Sequence, residues 1–320
     1  MTAAQKATWI GSISILLWGT LALMTRLTDG EIPPFQLMAM TFFIAFLLMA
    51  VNWWRQGDSG LRYLRQPRLA WLLGVGGYFG YHFCYFRAMQ LAPAVEVSLL
   101  AYLWPLLIVL LSALLPGERL RWAHCVGALL ALAGCWLLLA GTGAPSTEIS
   151  ADMDIGTGVE TGGQTGGETG AETNPDYIFG YALALGCAVI WSGYSVASRT
   201  TKSVPTAAVG WFCLVTAVLA AVCHVLWESF VWPSQWQHWL GIIGLGLGPV
   251  GIAFFTWDYG VKHGHIQLLG VLAYAAPLIS VVLLLLAGEG QWSVGLLLAC
   301  IAIVGGSLLA GMAKRSSAAV

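Results

Sequence analysis

Residues 101–106 read AYLWPL inside one apolar run of the chain, and residues 273–278 read AYAAPL inside a second. Each run is about 20 residues long, the length of an α-helix that crosses the hydrocarbon core of a bilayer. A Gly-Glu pair follows each run, at 117–118 and at 288–289. This doubled pattern predicts a membrane protein built from two related halves.

The composition of the 320-residue chain also favours membrane insertion. Hydrophobic residues make up 58% and charged residues 9%, whereas an average soluble domain carries roughly 25% charged residues. The fold class we predict is an all-α membrane protein. Apolar segments between charged, proline or glycine breaks predict ten transmembrane helices, at 5–26, 34–54, 69–91, 94–115, 120–141, 176–199, 206–228, 238–262, 265–287 and 291–312.

The 14 Lys and Arg residues predict the orientation, because basic residues are retained on the cytoplasmic side. With the N-terminus inside, 12 of them fall on the inner side, and the two on the outer side are Arg26 and Arg87. We therefore expect a multi-pass protein of the bacterial inner membrane with both termini in the cytoplasm. Segment 142–175 is rich in Gly and Thr and has six acidic residues but no Lys or Arg, which predicts a flexible periplasmic linker.

Five spans on each side of this linker place the two halves in opposite orientations. Trp18 precedes Arg26 by eight residues, and Trp191 precedes Arg199 by the same interval. Together with the AYLWPL and AYAAPL runs, this spacing predicts two inverted five-helix repeats, 1–141 and 176–320.

The doubled pattern of a Tyr-x-x-Pro span and a Gly-Glu turn resembles the EamA-type drug/metabolite transporter superfamily. Residues 94–97, AVEV, followed by 102–105, YLWP, are similar to the YddG-type aromatic amino acid exporters. The resemblance implies a transporter with a central cavity. It also implies that the following residues lie at that cavity: Tyr81, Tyr102, Trp104, Pro105 and Trp191.

Four polar aromatic residues of the third span, Tyr78, Tyr81, His82 and Tyr85, follow i, i+3, i+4, i+7 spacing and share one helical face. Hydroxyl groups that face lipid would lose their hydrogen bonds at a cost of some kcal/mol each. The face is therefore expected to point inward. There it would either form hydrogen bonds between helices or line a polar, aromatic cavity.

Two prolines, Pro105 and Pro277, lie near the middle of their spans. Each removes one backbone donor, so each is either a packing kink or a hinge beside a central site. Six aromatic residues would form a box for a flat side chain and attract an amino group by cation–π interaction. They are Trp104 and Trp191, joined by Trp18 and Trp257, together with Tyr102 and Tyr274.

Charged residues within the spans are few. Arg87 and Glu96 flank the short connection between the third and fourth spans, and we expect them to pair there, either as a structural contact or as part of an outer gate. Asp258 and Lys262 have i, i+4 spacing, which predicts a local ion pair. His82 is either a satisfied core histidine or a group that couples transport to protons.

These features predict an exporter of amino acids, aromatic or otherwise neutral, that works by alternating access through an aromatic-lined cavity. Export of lipophilic drugs or other small metabolites is the alternative. An enzyme is not expected, since the six histidines are scattered and none at mid-membrane depth lies beside an acid. The cysteine spacing predicts no metal site or disulfide, and we expect no cofactor. The expected partners are the small-molecule substrate and the lipid bilayer, not nucleic acid, and the expected assembly is a monomer.

Overall fold

The computed structural model describes residues 1–116, 120–141, 175–286 and 293–315. Most of these residues are helical, and no strand occurs among them. Both Gly-Glu turns lie outside the described residues, as does nearly all of the predicted linker 142–175.

Helical segments are labelled α1 to α10 in chain order. Seven of them are long and apolar enough to cross a membrane, namely α1 Ala3–Arg26, α2 Pro34–Arg55, α4 Ala94–Leu114, α6 Pro175–Thr201, α7 Thr206–Trp227, α8 Trp236–His263 and α9 Ile266–Leu286. The others are α3 at 68–91, α5 Trp122–Gly141 and α10 Val294–Arg315. The described residues therefore form a bundle of largely apolar helices.

Several of these segments are interrupted. A π-helical turn occupies Gly76–Gly80 in α3, and another occupies Gly246–Ile252 in α8. The α-helix of α4 stops at Ala101 and resumes at Trp104, while that of α9 stops at Leu272 and resumes at Ala275. Pro105 and Pro277 are thus the second and third residues of the new helices, in the first turn, where a missing N–H is tolerated.

Helices from the two halves pack against each other in antiparallel pairs. In the α5–α10 pair, a Cβ added to Gly127 would lie 2.5 Å from the carbonyl oxygen of Gly306. In the α1–α8 pair, a Cβ on Gly11 would lie 2.9 Å from the Cα of Gly260. Glycine at these positions lets the two backbones approach closely, which is how membrane helices gain packing energy.

The two ends of the bundle are distinguished by their helix termini. At the end where α1 begins, the His265 amide donates to the Thr8 hydroxyl at 2.9 Å, and Arg199 Nε donates to the Val261 carbonyl at 2.7 Å. We call this the terminal end. At the opposite end α6 begins, and Gly180 lies against Ala92. We call this the linker end.

Candidate functional site

Four tryptophans from four different helices meet at the centre of the bundle. These residues, here called the tryptophan tetrad, are Trp18, Trp104, Trp191 and Trp257. All six pairs of ring centroids lie 5.0 to 6.5 Å apart, and four of the pairs are edge-to-face, a favoured arrangement. The indole of Trp18 donates to the Pro249 carbonyl at 3.1 Å, and that of Trp257 donates to the Ser195 hydroxyl at 3.0 Å. These hydrogen bonds fix the orientation of two of the four rings.

A cavity lies against the tetrad, in the half of the bundle nearer the linker end. Its walls include Thr25 near the end of α1, Met38 near the start of α2 and Leu245 of α8. The described residues that line it include no Asp, Glu, Lys or Arg. The cavity therefore offers aromatic faces, hydroxyls and one imidazole to a ligand, and no formal charge from a carboxylate, ammonium or guanidinium.

The structure places half of the sequence-predicted site residues on the wall of this cavity. They are Tyr81, His82, Tyr102, Trp104 and Trp191. His82 donates from Nδ1 to the Tyr78 carbonyl at 2.7 Å, because a carbonyl oxygen can only accept. Its ring lies 5.3 Å from both Tyr81 and Phe42, measured between centroids. The imidazole is thus held between aromatic walls in one tautomer.

The remaining predicted residues, Tyr78, Tyr85, Pro105, Tyr274 and Pro277, do not line the cavity. The Tyr78 hydroxyl lies 2.7 Å from that of Tyr194, and the Tyr85 hydroxyl lies 3.3 Å from that of Ser98. The Leu106 amide donates to the Tyr274 hydroxyl at 3.1 Å. These three tyrosines form hydrogen bonds between helices, so the aromatic face of α3 is divided between helix packing and the cavity.

Several lining residues were not singled out from the sequence, and Phe254 is the most central of them. Its ring stacks on Tyr78 with centroids 4.7 Å apart and lies 5.5 Å from Trp191. The repeat contains a signal for it. Tyr102 and Tyr274 are 172 residues apart, and the same offset takes His82 to Phe254. Applying the 172-residue offset, which relates α4 to α9, to α3 and α8 as well would have indicated this position.

On the terminal-end side of the tetrad, the predicted ion pair between Asp258 and Lys262 is confirmed. Lys262 Nζ lies 2.8 Å from Asp258 Oδ1 and 2.9 Å from Oδ2. The same ammonium donates to the Val204 carbonyl at 3.1 Å, and the Thr206 hydroxyl donates to Asp258 Oδ2 at 2.6 Å. The pair thus ties α8 to α7 and to the connection that precedes it.

As a structural contact, the predicted pair between Arg87 and Glu96 was wrong. Arg87 donates instead to the Gln90 side chain on its own helix, and Glu96 accepts from the Tyr181 hydroxyl of α6. Ala92 and Pro93, which connect α3 to α4, have extended backbone angles. This connection allows Glu96 to reach α6 rather than Arg87.

Comparison with known proteins agrees with these features. The family model described as "EamA-like transporter family" matches residues 5–140 and 178–312. The chain belongs to this family. An EamA-like relative from Ancylobacter novellus, named aromatic amino acid exporter YddG, is 50% identical over 311 residues, covering 97% of this chain and 99% of the relative. A protein of the same name from Escherichia coli is 27% identical over 318 residues, covering 97% and 98%. A solved crystal structure superposes with a TM-score of 0.84 at 49% identity, covering 98% of both chains.

Proposed function

We propose that this EamA-like protein exports aromatic amino acids across the bacterial inner membrane by alternating access. The observation that carries the proposal is the tryptophan tetrad beside a cavity without formal charge. Aromatic walls favour a flat, apolar side chain by stacking, and they attract an ammonium group through cation–π interaction. The names of the relatives from two bacteria point to the same substrate class.

The architecture that we propose has ten transmembrane helices in two inverted repeats, 1–141 and 176–320, joined by the linker 142–175. The family model matches once on each side of this linker. The offset of 172 residues also takes the π turn at 76–80 to 248–252, inside the second π turn.

Since most basic residues belong to the terminal end, we propose that this end and both termini face the cytoplasm. The assembly we propose is a monomer.

Within the site, we propose that Tyr81, His82, Tyr102, Trp104 and Trp191 contact the substrate. The role we propose for Tyr78, Tyr85 and Tyr274 is to hold the helices that carry these residues. Pro105 and Pro277 begin new helical stretches beside the cavity, so the breaks before them are points at which α4 and α9 can bend. In the present conformation the cavity would exchange substrate through the linker end, which corresponds to release into the periplasm.

The proposal is tested by uptake of a panel of radiolabelled amino acids into proteoliposomes that contain the purified protein. Saturable uptake of tryptophan, phenylalanine or tyrosine is expected. Trp104→Ala should reduce it about tenfold, because lost stacking contributes ~0.5–1.5 kcal/mol beyond lost contact area. The matched control is Trp136→Ala on α5, whose side chain is exposed and should be neutral. Equal loss in both variants, or no saturable uptake of any amino acid, would contradict the proposal.

Export of lipophilic drugs is the second candidate, and the absence of charged side chains from the described lining favours it. A lipophilic cation would need only the aromatic walls, whereas an amino acid also needs partners for its carboxylate. Tetraphenylphosphonium and tryptophan should be compared as competing substrates in the same vesicles. Transport of the phosphonium ion without any amino acid would assign the protein to drug export.

A further inference from the structure

A pair of charged groups lies inside the bundle but does not line the cavity. Among the described residues, the buried side chains with formal charge are Asp258 and Lys262, which are 1% and 2% exposed. Burying two charges is costly, and a hydrophobic pair of similar size often gives equal or greater stability. Ionisable residues inside a membrane bundle are therefore candidates for function.

The pair lies one layer of aromatic rings away from the cavity. Asp258 directly follows Trp257 of the tetrad and is four residues, or ~6 Å along the helix, from the lining residue Phe254. The Tyr194 hydroxyl donates to Asp258 Oδ1 at 3.3 Å, and the Tyr194 ring lies 5.4 Å from that of Trp191, between centroids. A substrate that moves between the terminal end and the cavity along α8 would pass this pair first.

We propose that Asp258 and Lys262 are a loading site for the charged head group of a zwitterionic amino acid arriving from the terminal end. Lys262 would take the α-carboxylate, and Asp258 would take the α-ammonium. This inference rests on the proposed function and assigns one further site on the substrate's route.

The chemistry of the pair fits this exchange. Asp258 and Lys262 lie on the same helix, so they stay paired when the terminal end opens. What they lose are their contacts with the Val204 carbonyl and the Thr206 hydroxyl. A zwitterion can replace both contacts without changing the total charge, because its carboxylate accepts from Lys262 as the Val204 carbonyl does, and its ammonium donates to Asp258 as the Thr206 hydroxyl does. A ligand with only an amine or only a carboxylate would add an uncompensated charge beside the pair, which is strongly unfavourable.

The two halves of the repeat differ at these positions. The offset of 172 residues relates Asp258 to Phe86 and Lys262 to Gln90. The corresponding part of α3, at the linker end, therefore carries no such charge pair. At these positions, only the terminal end carries groups that match the two charges of a zwitterion. This difference suits a protein whose substrate enters at the terminal end and leaves from an uncharged cavity.

A simpler role for the pair is a latch that holds the terminal end closed, and the experiment must separate the two roles. Lys262→Met removes both the latch and the site. The exchange variant, in which Asp258→Asn and Lys262→Gln exchange the two charged groups for amides, keeps an acceptor for the Thr206 hydroxyl and a donor for the Val204 carbonyl, and therefore a latch, but removes both charges. Arg62→Met is the matched control, since Arg62 forms an i, i+4 pair with Asp58 and has a side chain that is 68% exposed.

Closure of the terminal end can be followed at Cys213. This thiol is fully buried and lies near the Tyr78 and Tyr194 hydroxyls. In a background whose other six cysteines are replaced by alanine, maleimide should alkylate Cys213 slowly while the terminal end is closed. The rate should rise in Lys262→Met and fall again in the exchange variant.

The deciding measurement is the KM for tryptophan from each face, in inside-out and right-side-out vesicles. We expect Lys262→Met to raise KM at the terminal-end face about tenfold, equivalent to ~1.4 kcal/mol, with little change at the linker-end face. The exchange variant should restore slow alkylation of Cys213 but not KM, and Arg62→Met should change neither.

Recovery of KM together with slow alkylation, or an equal change at both faces, would show a latch alone and overturn the loading site. Absence of amino acid uptake by the unsubstituted protein from either face would refute the proposed function, and the loading site with it.

Discussion

The terminal end and the linker end of this bundle use their polar side chains differently. At the terminal end, Arg199 donates to the Val261 and Gly264 carbonyls of α8, and Lys262 donates to the Val204 carbonyl. These contacts join different helices and are buried or half-buried. At the linker end, Arg87 donates within its own helix, and the contact of Glu96 with Tyr181 is exposed. Lys262 at the terminal end is thus a buried charge that contacts another segment, whereas at the linker end Glu96 contacts α6 at the surface and Glu228 accepts from the Phe35 and Gln36 amides at the start of α2.

The same difference separates positions that the repeat relates to each other. Arg199 corresponds to Arg26 with an offset of 173 residues, and Lys262 corresponds to Gln90 with an offset of 172. Arg199 is half-buried against the end of α8, while Arg26 is exposed. An inverted repeat therefore need not give its two ends the same closing contacts. At the terminal end both related positions, Arg199 and Lys262, donate to carbonyls of other segments, whereas at the linker end one related position is an exposed arginine and the other is an uncharged glutamine.

The largest expected effect is that of removing the charge of Asp258. Asp258→Asn leaves the Lys262 ammonium buried without its counter-charge, and breaking a buried pair in this way costs about 3–5 kcal/mol. We expect a marked fall in the thermal unfolding temperature of the protein in detergent micelles. Arg62→Met, which breaks a partly exposed pair at the same end, should change this temperature little, because solvent screens the attraction between exposed charges. Equal shifts in both variants would remove the distinction between the two pairs.

The next effect should come from Arg199. Arg199→Gln removes charge-assisted hydrogen bonds to two carbonyls at the C-terminal end of α8, and hydrogen bonds to charged groups contribute about 1.5–3 kcal/mol. Arg87→Gln at the linker end replaces an exposed side chain, so its effect should lie within about 0.5 kcal/mol. Thermal unfolding measures both changes. A larger fall in unfolding temperature for Arg87→Gln would mean that these polar contacts stabilise the linker end more than the terminal end.

Part of this contrast between the ends could be predicted from the sequence, because it depends on the spacing of residues within a few turns of one helix. The i, i+4 interval predicted the pair of Asp258 and Lys262 without any knowledge of the fold. The aromatic residues Trp104 and Trp191 were singled out as members of an aromatic box, and the structure places both on the cavity wall. In each case the evidence lay within a few residues or in one repeated pattern.

Other features could not be read in this way, because they depend on contacts between distant segments. The π turns of α3 and α8 depend on the packing of their neighbours, for instance of Gly77 against Tyr194. The expected pair of Arg87 and Glu96 depends on how α3 and α4 are oriented, and that orientation differs between conformations of a transporter. Sequence spacing does not specify which conformation is populated.

A smaller change in stability is expected from substitutions in the π turn of α3, on the terminal-end side of the cavity. A Cβ on Gly77 would lie 2.7 Å from Tyr194 Cγ, whereas a Cβ on Gly76 meets no atom within 4 Å. Gly77→Ala should displace Tyr194 from Tyr78 and Asp258 and cost about 1–3 kcal/mol, as overpacking does. Gly76→Ala, one residue away in the same turn, should be neutral or stabilising. The unfolding temperature and the alkylation of Cys213 report the two outcomes, and similar results for both variants would contradict a specific role for Gly77.

The smallest expected effect concerns Glu96 at the linker end. The remaining alternative for Arg87 and Glu96, an outer gate, would bring them together only in the state where this end closes, and a surface ion pair contributes about 0.2–1 kcal/mol. Glu96→Gln keeps an acceptor for Tyr181 and removes only the charge. The unfolding temperature should therefore be unchanged, while the export rate should fall no more than about fivefold, the factor that corresponds to ~1 kcal/mol.

The double variant Arg87→Glu with Glu96→Arg restores opposite charges and should recover the rate. If the double variant is slower than either single variant, the two residues do not pair during transport, and the linker end closes through apolar contacts.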